Sequence, residues 1–345
     1  MKKKVLLAGV MAMLLCVFIL FIAVLGPLGR DRQSGQVYLY GELHSMEGFK
    51  LKENELWEQY YHERGMRHLF VELPFYAAEF LNLWMQAEDD EMLDKLFEEW
   101  KGTPADTPMQ REFYQRIKEN CPETVFHGTD VGHIYYATGE RYLQLLRDNG
   151  QENSEKYRIA QEVIEQGIYY YEYADANFRE NKMVENFIRE YEALNGEDIM
   201  GIYGAAHLNL SDNTYNVEVP WMAVQLSEHY EEHMHIYNMR ELVEPLRVER
   251  ITIGDQEYEA YYYGRRGTKT VLEYWQLDLT DELKRYLSTG ETYPYSWLPL
   301  PVEDNQIFVV QTTKEDGSVQ RSYYRSDRET ADGEPPLLHQ LYIME

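Results

Sequence analysis

Two apolar runs in this chain end in the same way, and few folds accommodate both. Val37-Tyr38-Leu39-Tyr40 stops at Gly41-Glu42-Leu43-His44, and Ile199-Met200-Gly201-Ile202-Tyr203 stops at Gly204-Ala205-Ala206-His207. Mixed aromatic and aliphatic residues suit buried strands, and Gly41 permits a sharp turn at the end of the first. In open α/β sheets, ligands bind beyond the carboxyl ends of the strands. Two such strands would deliver His44 and His207, with Glu42, to the walls of one site.

The surrounding pattern supplies the remaining elements. Ser45 is placed to cap a helix over 48–63 that Gly65 ends. The run His68–Pro74 reads as the next strand, completing a right-handed βαβ unit and bringing Glu72 to the same sheet edge as Glu42. A long helical region over 75–100 is broken at 101–108 by Gly102, Pro104 and Pro108, and a helix follows over 109–120. A strand over 124–130 ends on a third acid, Asp130. Helices are expected over 134–148 and 155–173, then another opened by Arg179-Glu180-Asn181-Lys182-Met183 and stopped at Asn195-Gly196. A helix over 224–232 and a short strand over 235–239 close this part. Beyond residue 246 the texture turns to hairpins, one about Gly254-Asp255 and one about Glu315-Asp316-Gly317-Ser318. The fold class that follows is α/β. A central, mostly parallel sheet flanked by helices spans 36–240, with a small β-rich appendage at 246–345.

The N-terminus adds a membrane segment. Lys2-Lys3-Lys4 precede an uncharged apolar stretch from Val5 to Leu28, and about 20 apolar residues cross a bilayer. No small-residue cleavage site follows, so residues 1–29 read as an uncleaved transmembrane signal anchor. The lysines put the N-terminus on the cytoplasmic side and the remainder outside the cell. The formal net charge is -27, from 60 acidic and 33 basic residues. That excludes nucleic acid as a partner, because phosphate binding needs clustered cations. Cys16 lies in the apolar segment, leaving Cys121 alone in the folded part as a small buried residue rather than a nucleophile.

The acids and histidines at the strand ends carry the chemistry. Imidazole is the side chain best poised to move protons near neutral pH. His44 and His207 with Glu42 and Glu72 could activate water directly. Alternatively, His44, Glu72 and His207 could hold a divalent metal (Mn, Co or Zn) that lowers the pKa of bound water. Arg179, with Glu180 and Asp130, would bind substrate or steady a developing oxyanion. Two histidines at His229 and His233 lack the glutamate of a zinc helix motif and read as a solvated helix end. Tyr169-Tyr170-Tyr171 and Tyr261-Tyr262-Tyr263 suit packing better than sugar stacking.

Gly41-Glu42-Leu43-His44, Glu72, Gly128-Thr129-Asp130, Arg179-Glu180-Asn181-Lys182-Met183 with Asn186, and Gly204-Ala205-Ala206-His207 occur in that order. Together they resemble the erythromycin esterase / ChaN-like / TraB–TIKI superfamily over Val37 to Met239. The resemblance implies an α/β fold with a cleft of histidines and acids. It also implies a histidine-activated hydrolase, a metal-dependent peptidase or a haem-binding protein. Arg179-Glu180 replaces the Arg-Asp usual in erythromycin esterases, and Leu43 stands where they carry a Ser/Thr-containing segment, so macrolide hydrolysis is not implied. The expectation is an anchored extracytoplasmic hydrolase acting on a small-molecule or peptide ester or amide. The alternative is a non-catalytic haem or metal carrier, or a surface binding protein.

Overall fold

The computed structural model describes residues 35–210, 218–294, 305–327 and 337–343; the expected anchor lies outside them. Five parallel strands make the first sheet: β1 (Val37–Glu42), β2 (His68–Pro74), β3 (Val125–Asp130), β4 (Ile199–Gly204) and β5 (Met234–Asn238), in the order β3-β2-β4-β1-β5. Side chains alternate between its faces. Tyr40, Leu69, Val71, Met200 and Ile202 enter one core cluster, and Val37, Leu39, Phe70, Ile199 and Tyr203 enter another. Burial on both faces is what selects near-continuous apolar strands in a parallel sheet.

The chain order gives α1 (Glu47–Arg64), α2 (Phe75–Met85), α3 (Glu91–Glu99), α4 (Pro108–Asn120), α5 (Glu140–Asp148), α6 (Glu155–Tyr173), α7 (Ala176–Glu192) and α8 (Met222–Tyr230). Four local expectations change. β1 and β2 are not neighbours, because β4 lies hydrogen-bonded between them, yet both carboxyl ends still open on one edge. Ser45 does not cap α1. It takes a left-handed φ of 63° and donates its hydroxyl to the Pro104 carbonyl, tying β1 to the 101–107 loop. The expected long helix splits into α2 and α3. Lys118 Nζ takes the Trp84 and Ala87 carbonyls at 2.8 Å each, and Trp84 Nε1 donates to Asp90, which closes α2 early. Ahead of α5, Tyr135–Gly139 forms a π turn after Ile134, whose φ is 54°. Such turns recur at functional sites, and this one leads out of the β3 end.

The C-terminal part is larger than an appendage of two hairpins. β6 (Arg247–Ile253), β7 (Gln256–Arg266), β8 (Val271–Asp278), β9 (Ser288–Pro294), β10 (Gln306–Thr313), β11 (Val319–Asp327) and β12 (Leu337–Leu341) form an antiparallel sheet ordered β6-β7-β8-β10-β11-β12-β9. The two expected hairpins are β6–β7 and β10–β11. β8 was unreadable as a half-exposed strand because both of its faces are covered. Trp275 and Leu277 join Ile307, Val309 and Tyr323 in the sheet's own cluster, while Tyr274 packs with Phe308 and Leu338 into the main core. The sheet sits hard against the start of α1: a Cβ on Gly48 would come within 2.6 Å of the Tyr263 carbonyl. Arg265 N donates to Glu47 Oε2 at 3.2 Å.

Shared packing predicts shared unfolding. Phe308→Ala should cost about 3–5 kcal/mol and lower the midpoint of one cooperative transition followed by far-UV circular dichroism. A helical signal that melts at its original midpoint would show that the two sheets are independent.

Candidate functional site

The site forms at the carboxyl edge of the parallel sheet. Gly41 is not a turn: it pairs with Tyr203 and Asn238 inside β1, and a Cβ there would lie 3.2 Å from Ala205 Cα. Its smallness lets β1 and the chain beyond β4 approach closely. Gly204 matters more directly, because a Cβ would stand 3.0 Å from His44 Nε2 and 3.2 Å from Glu72 Oε2. Both glycines clear space for the side chains that follow.

His44 presents one imidazole edge to the protein and the other to the cleft. Nδ1 lies 2.9 Å from Glu42 Oε1, and Nε2 lies 3.7 Å from Glu72 Oε1, too far for a hydrogen bond. The His44 side chain is 40% exposed, against 7% for Glu42 and 10% for Glu72. The other Glu42 oxygen is 2.5 Å from Lys50 Nζ, which also reaches Glu53 Oε2 at 2.8 Å. Neither Lys50 nor Glu53 was singled out in the sequence, and both are buried on α1.

Arg179 joins the β2 and β3 ends. Its Nε and Nη2 grip Asp130 at 3.0 and 2.7 Å, and Nη2 reaches Glu72 Oε1 at 2.7 Å. Asp130 in turn lies 2.8 Å from His133 Nε2, and His133 Nδ1 meets the Tyr171 hydroxyl at 2.6 Å. His133 was overlooked, although an acid at a strand end followed three residues later by histidine resembles the Gly204-to-His207 spacing. His207 stands behind Glu72. Its Nε2 is 3.3 Å from Glu72 Oε1, and its Nδ1 makes a very short bond to Glu180 Oε1. Glu180 Oε2 accepts the Met222 amide at the start of α8.

These pairs fix the charge states. Burial alone would raise the Glu42, Glu72 and Asp130 carboxyls. Lys50 and His44 hold Glu42 well below the usual range, His207 and His44 hold down Glu72, and Arg179 and His133 hold down Asp130. Burial opposes a proton on His207, yet Glu72 and Glu180 push it up to about 10. At neutral pH His207 is an imidazolium. His44 is also raised above the ordinary histidine value, by Glu72 and Glu42 acting against burial, while Lys50 pulls it back.

A cleft of about 530 Å³ collects Glu42, His44, Lys50, Glu72, Asp130 and Arg179 on its polar side. Val71, Trp100, Phe113, Ile134 and Ile202 line the apolar side, and His133 and Tyr171 face it as well. His207 and Glu180 do not line it. Tyr262 packs in the second sheet, and His229 is exposed on α8.

The donor set does not fit a divalent metal. Glu72 Oε1 already meets Arg179 and His207, and Glu72 Oε2 accepts the Gly204 amide at 2.5 Å. Both His207 nitrogens face carboxylates, and a guanidinium occupies the place of a bound cation. Among the described residues no group of three or more His, Cys, Asp or Glu is arranged to hold one.

No protein-family profile and no curated protein matches the chain. Solved structures similar to it include a variant of the erythromycin esterase EreC in its open conformation, at 12% identity and a TM-score of 0.41, covering 63% of this chain and 72% of that one. A protein from Bacillus cereus is 12% identical with a TM-score of 0.45, covering 85% and 88%. A succinoglycan biosynthesis protein is 13% identical with a TM-score of 0.42, covering 62% and 68%. Likenesses this distant carry no argument about family or function.

The His207 charge makes a stability prediction. With its pKa raised from 6.5 to about 10, the imidazolium's contribution is fully present below about pH 6.5 and fades as pH rises through about 10. His207→Gln should therefore cost about 3–5 kcal/mol near neutral pH by leaving buried carboxylates uncompensated. In urea titrations that gap from the wild type should shrink toward about pH 10. A gap that stays constant with pH would contradict a cationic His207.

Proposed function

We propose that the chain is a hydrolase in which His44 is the general base that activates water against an ester or amide carbonyl. The observation that carries this reading is the asymmetry of the His44 ring: Nδ1 is committed to Glu42 while Nε2 opens on the cleft. Donation of Nδ1–H to Glu42 leaves the lone pair on Nε2. That nitrogen takes a proton from water as the water oxygen bonds to the carbonyl carbon, and the π electrons of the carbonyl move to its oxygen. The tetrahedral intermediate then collapses, and the His44 imidazolium returns its proton to the leaving oxygen or nitrogen. Glu42 and Glu72 stabilise the transient imidazolium. Arg179 uses Nε and Nη2 on Asp130 and Glu72, and its Nη1 makes no hydrogen bond to the described residues. That guanidinium nitrogen is the N–H donor available to the oxyanion. His207 is not a second base in this scheme. Its positive charge, with Glu180 behind it, holds Glu72 in place.

Because His44 is a base whose proton is held above the ordinary value, activity should rise with pH along a limb above 6.5. His44→Ala should lower kcat/KM for p-nitrophenyl acetate by roughly 10²–10⁴-fold with the fold intact, and chelators should leave the wild type unchanged. Normal turnover in His44→Ala would remove the assignment.

The same proposal places this activity outside the cell, on the anchor read from residues 1–29, acting on a small molecule or peptide and not on nucleic acid. The lysines ahead of Val5 and the net charge of -27 support it. Protease added to intact cells should digest the chain beyond Arg30; complete protection would reverse the topology.

A further inference from the structure

The Glu42 carboxylate has a second neighbour that the steps above do not use. Lys50 is 5% exposed and Glu53 is 0% exposed. They lie three residues apart on one face of α1, with the ammonium 2.8 Å from Glu53 Oε2 and 5.1 Å from the centre of the Phe113 ring. A buried ion pair is weak as a source of stability, since desolvation offsets the attraction. A pair serving the helix alone would need only these two residues. Instead the ammonium is closer to Glu42 Oε2, at 2.5 Å, on the carboxylate whose other oxygen meets His44.

We propose that Lys50 is a positioning residue for His44. Seated between Glu42 and Glu53, its ammonium holds the Glu42 carboxylate at His44 Nδ1 and limits how strongly that carboxylate stabilises the imidazolium. This rests on His44 being the base. The groups that face His44 come from three elements: Glu42 at the end of β1, Glu72 on β2 and Lys50 on α1. Glu53 and Tyr114 face Lys50 and Glu42 in turn, and Arg179 and His207 act on His44 through Glu72. Burial and the neighbouring Glu42 raise the Glu53 carboxyl well above its usual range, against Lys50. Glu53 is thereby a weaker counter-charge than Glu42, whose carboxyl is held low and whose Oε2 stands nearer the ammonium, 2.5 Å against 2.8 Å. Without the ammonium, the full Glu42 charge bears on His44, which keeps its proton to higher pH.

The test follows the His44 ring resonances with pH, together with hydrolysis of p-nitrophenyl acetate, in the full chain and in Lys50→Met and Lys50→Arg. In Lys50→Met both the His44 titration and the acid limb of kcat/KM should move up by about one pH unit, a roughly tenfold loss on the acid side. That loss should be regained at higher pH, and Lys50→Arg should restore the original limb. A His44 titration unmoved in Lys50→Met would overturn the proposal. So would collapse of the fold in both Lys50→Met and Lys50→Gln, which would assign the lysine to the core alone. Retained hydrolysis in His44→Ala would sink the base reading while leaving a shifted titration intact, so the two failures are distinguishable.

Discussion

Glu72 meets four groups from four parts of the chain: Arg179 of α7, His207 beyond β4, the Gly204 amide within β4, and His44 beyond β1. A carboxylate at this depth is costly unless its lone pairs are answered, so Arg179, His207 and the Gly204 amide are obligatory, while His44, at 3.7 Å, acts on it through charge alone. Their positions fix where the β1, β2, β3 and β4 ends stand relative to one another. Asp130 is drawn into the same lattice through Arg179, and Asp130 carries His133 and Tyr171 with it.

The same carboxylate makes the two histidines unequal. His207 has a carboxylate at each nitrogen and little exposure, so it holds its proton and serves as a fixed cation. His44 has one close carboxylate, a more distant one, a lysine beyond and an open edge on the cleft. Local contacts thus divide one pair of chemically identical side chains into a charge that stays and a charge that moves. That division, more than the presence of two histidines, is what the hydrolase proposal depends on.

Much of this arrangement could be read in the residues because strand ends leave strong marks. Apolar runs ending in Gly41, Gly128 and Gly204 located Glu42, His44, Asp130 and His207, and the strand-helix-strand spacing brought Glu72 to the same sheet edge. Strand order was not legible, since nothing local to β1 or β2 records that β4 inserts between them. Lys50 and Glu53 were hidden because a helix sequence with charged residues normally describes a solvated face, and only the packing of α1 on the sheet buries them. β8 defeated the alternation rule because both of its faces are covered. Ser45 resembled a helix cap, but its hydroxyl is taken by Pro104, a contact 59 residues away in sequence.

The unequal histidines are open to direct measurement. Nitrogen-detected NMR of both imidazoles through one pH titration would report which nitrogens carry protons at each step. The account predicts that His44 loses its proton first, from Nε2, at a pH above the ordinary histidine value, while His207 stays protonated on both nitrogens until about pH 10. Loss of the His207 proton before that of His44, or joint titration of both rings near 6.5, would contradict it.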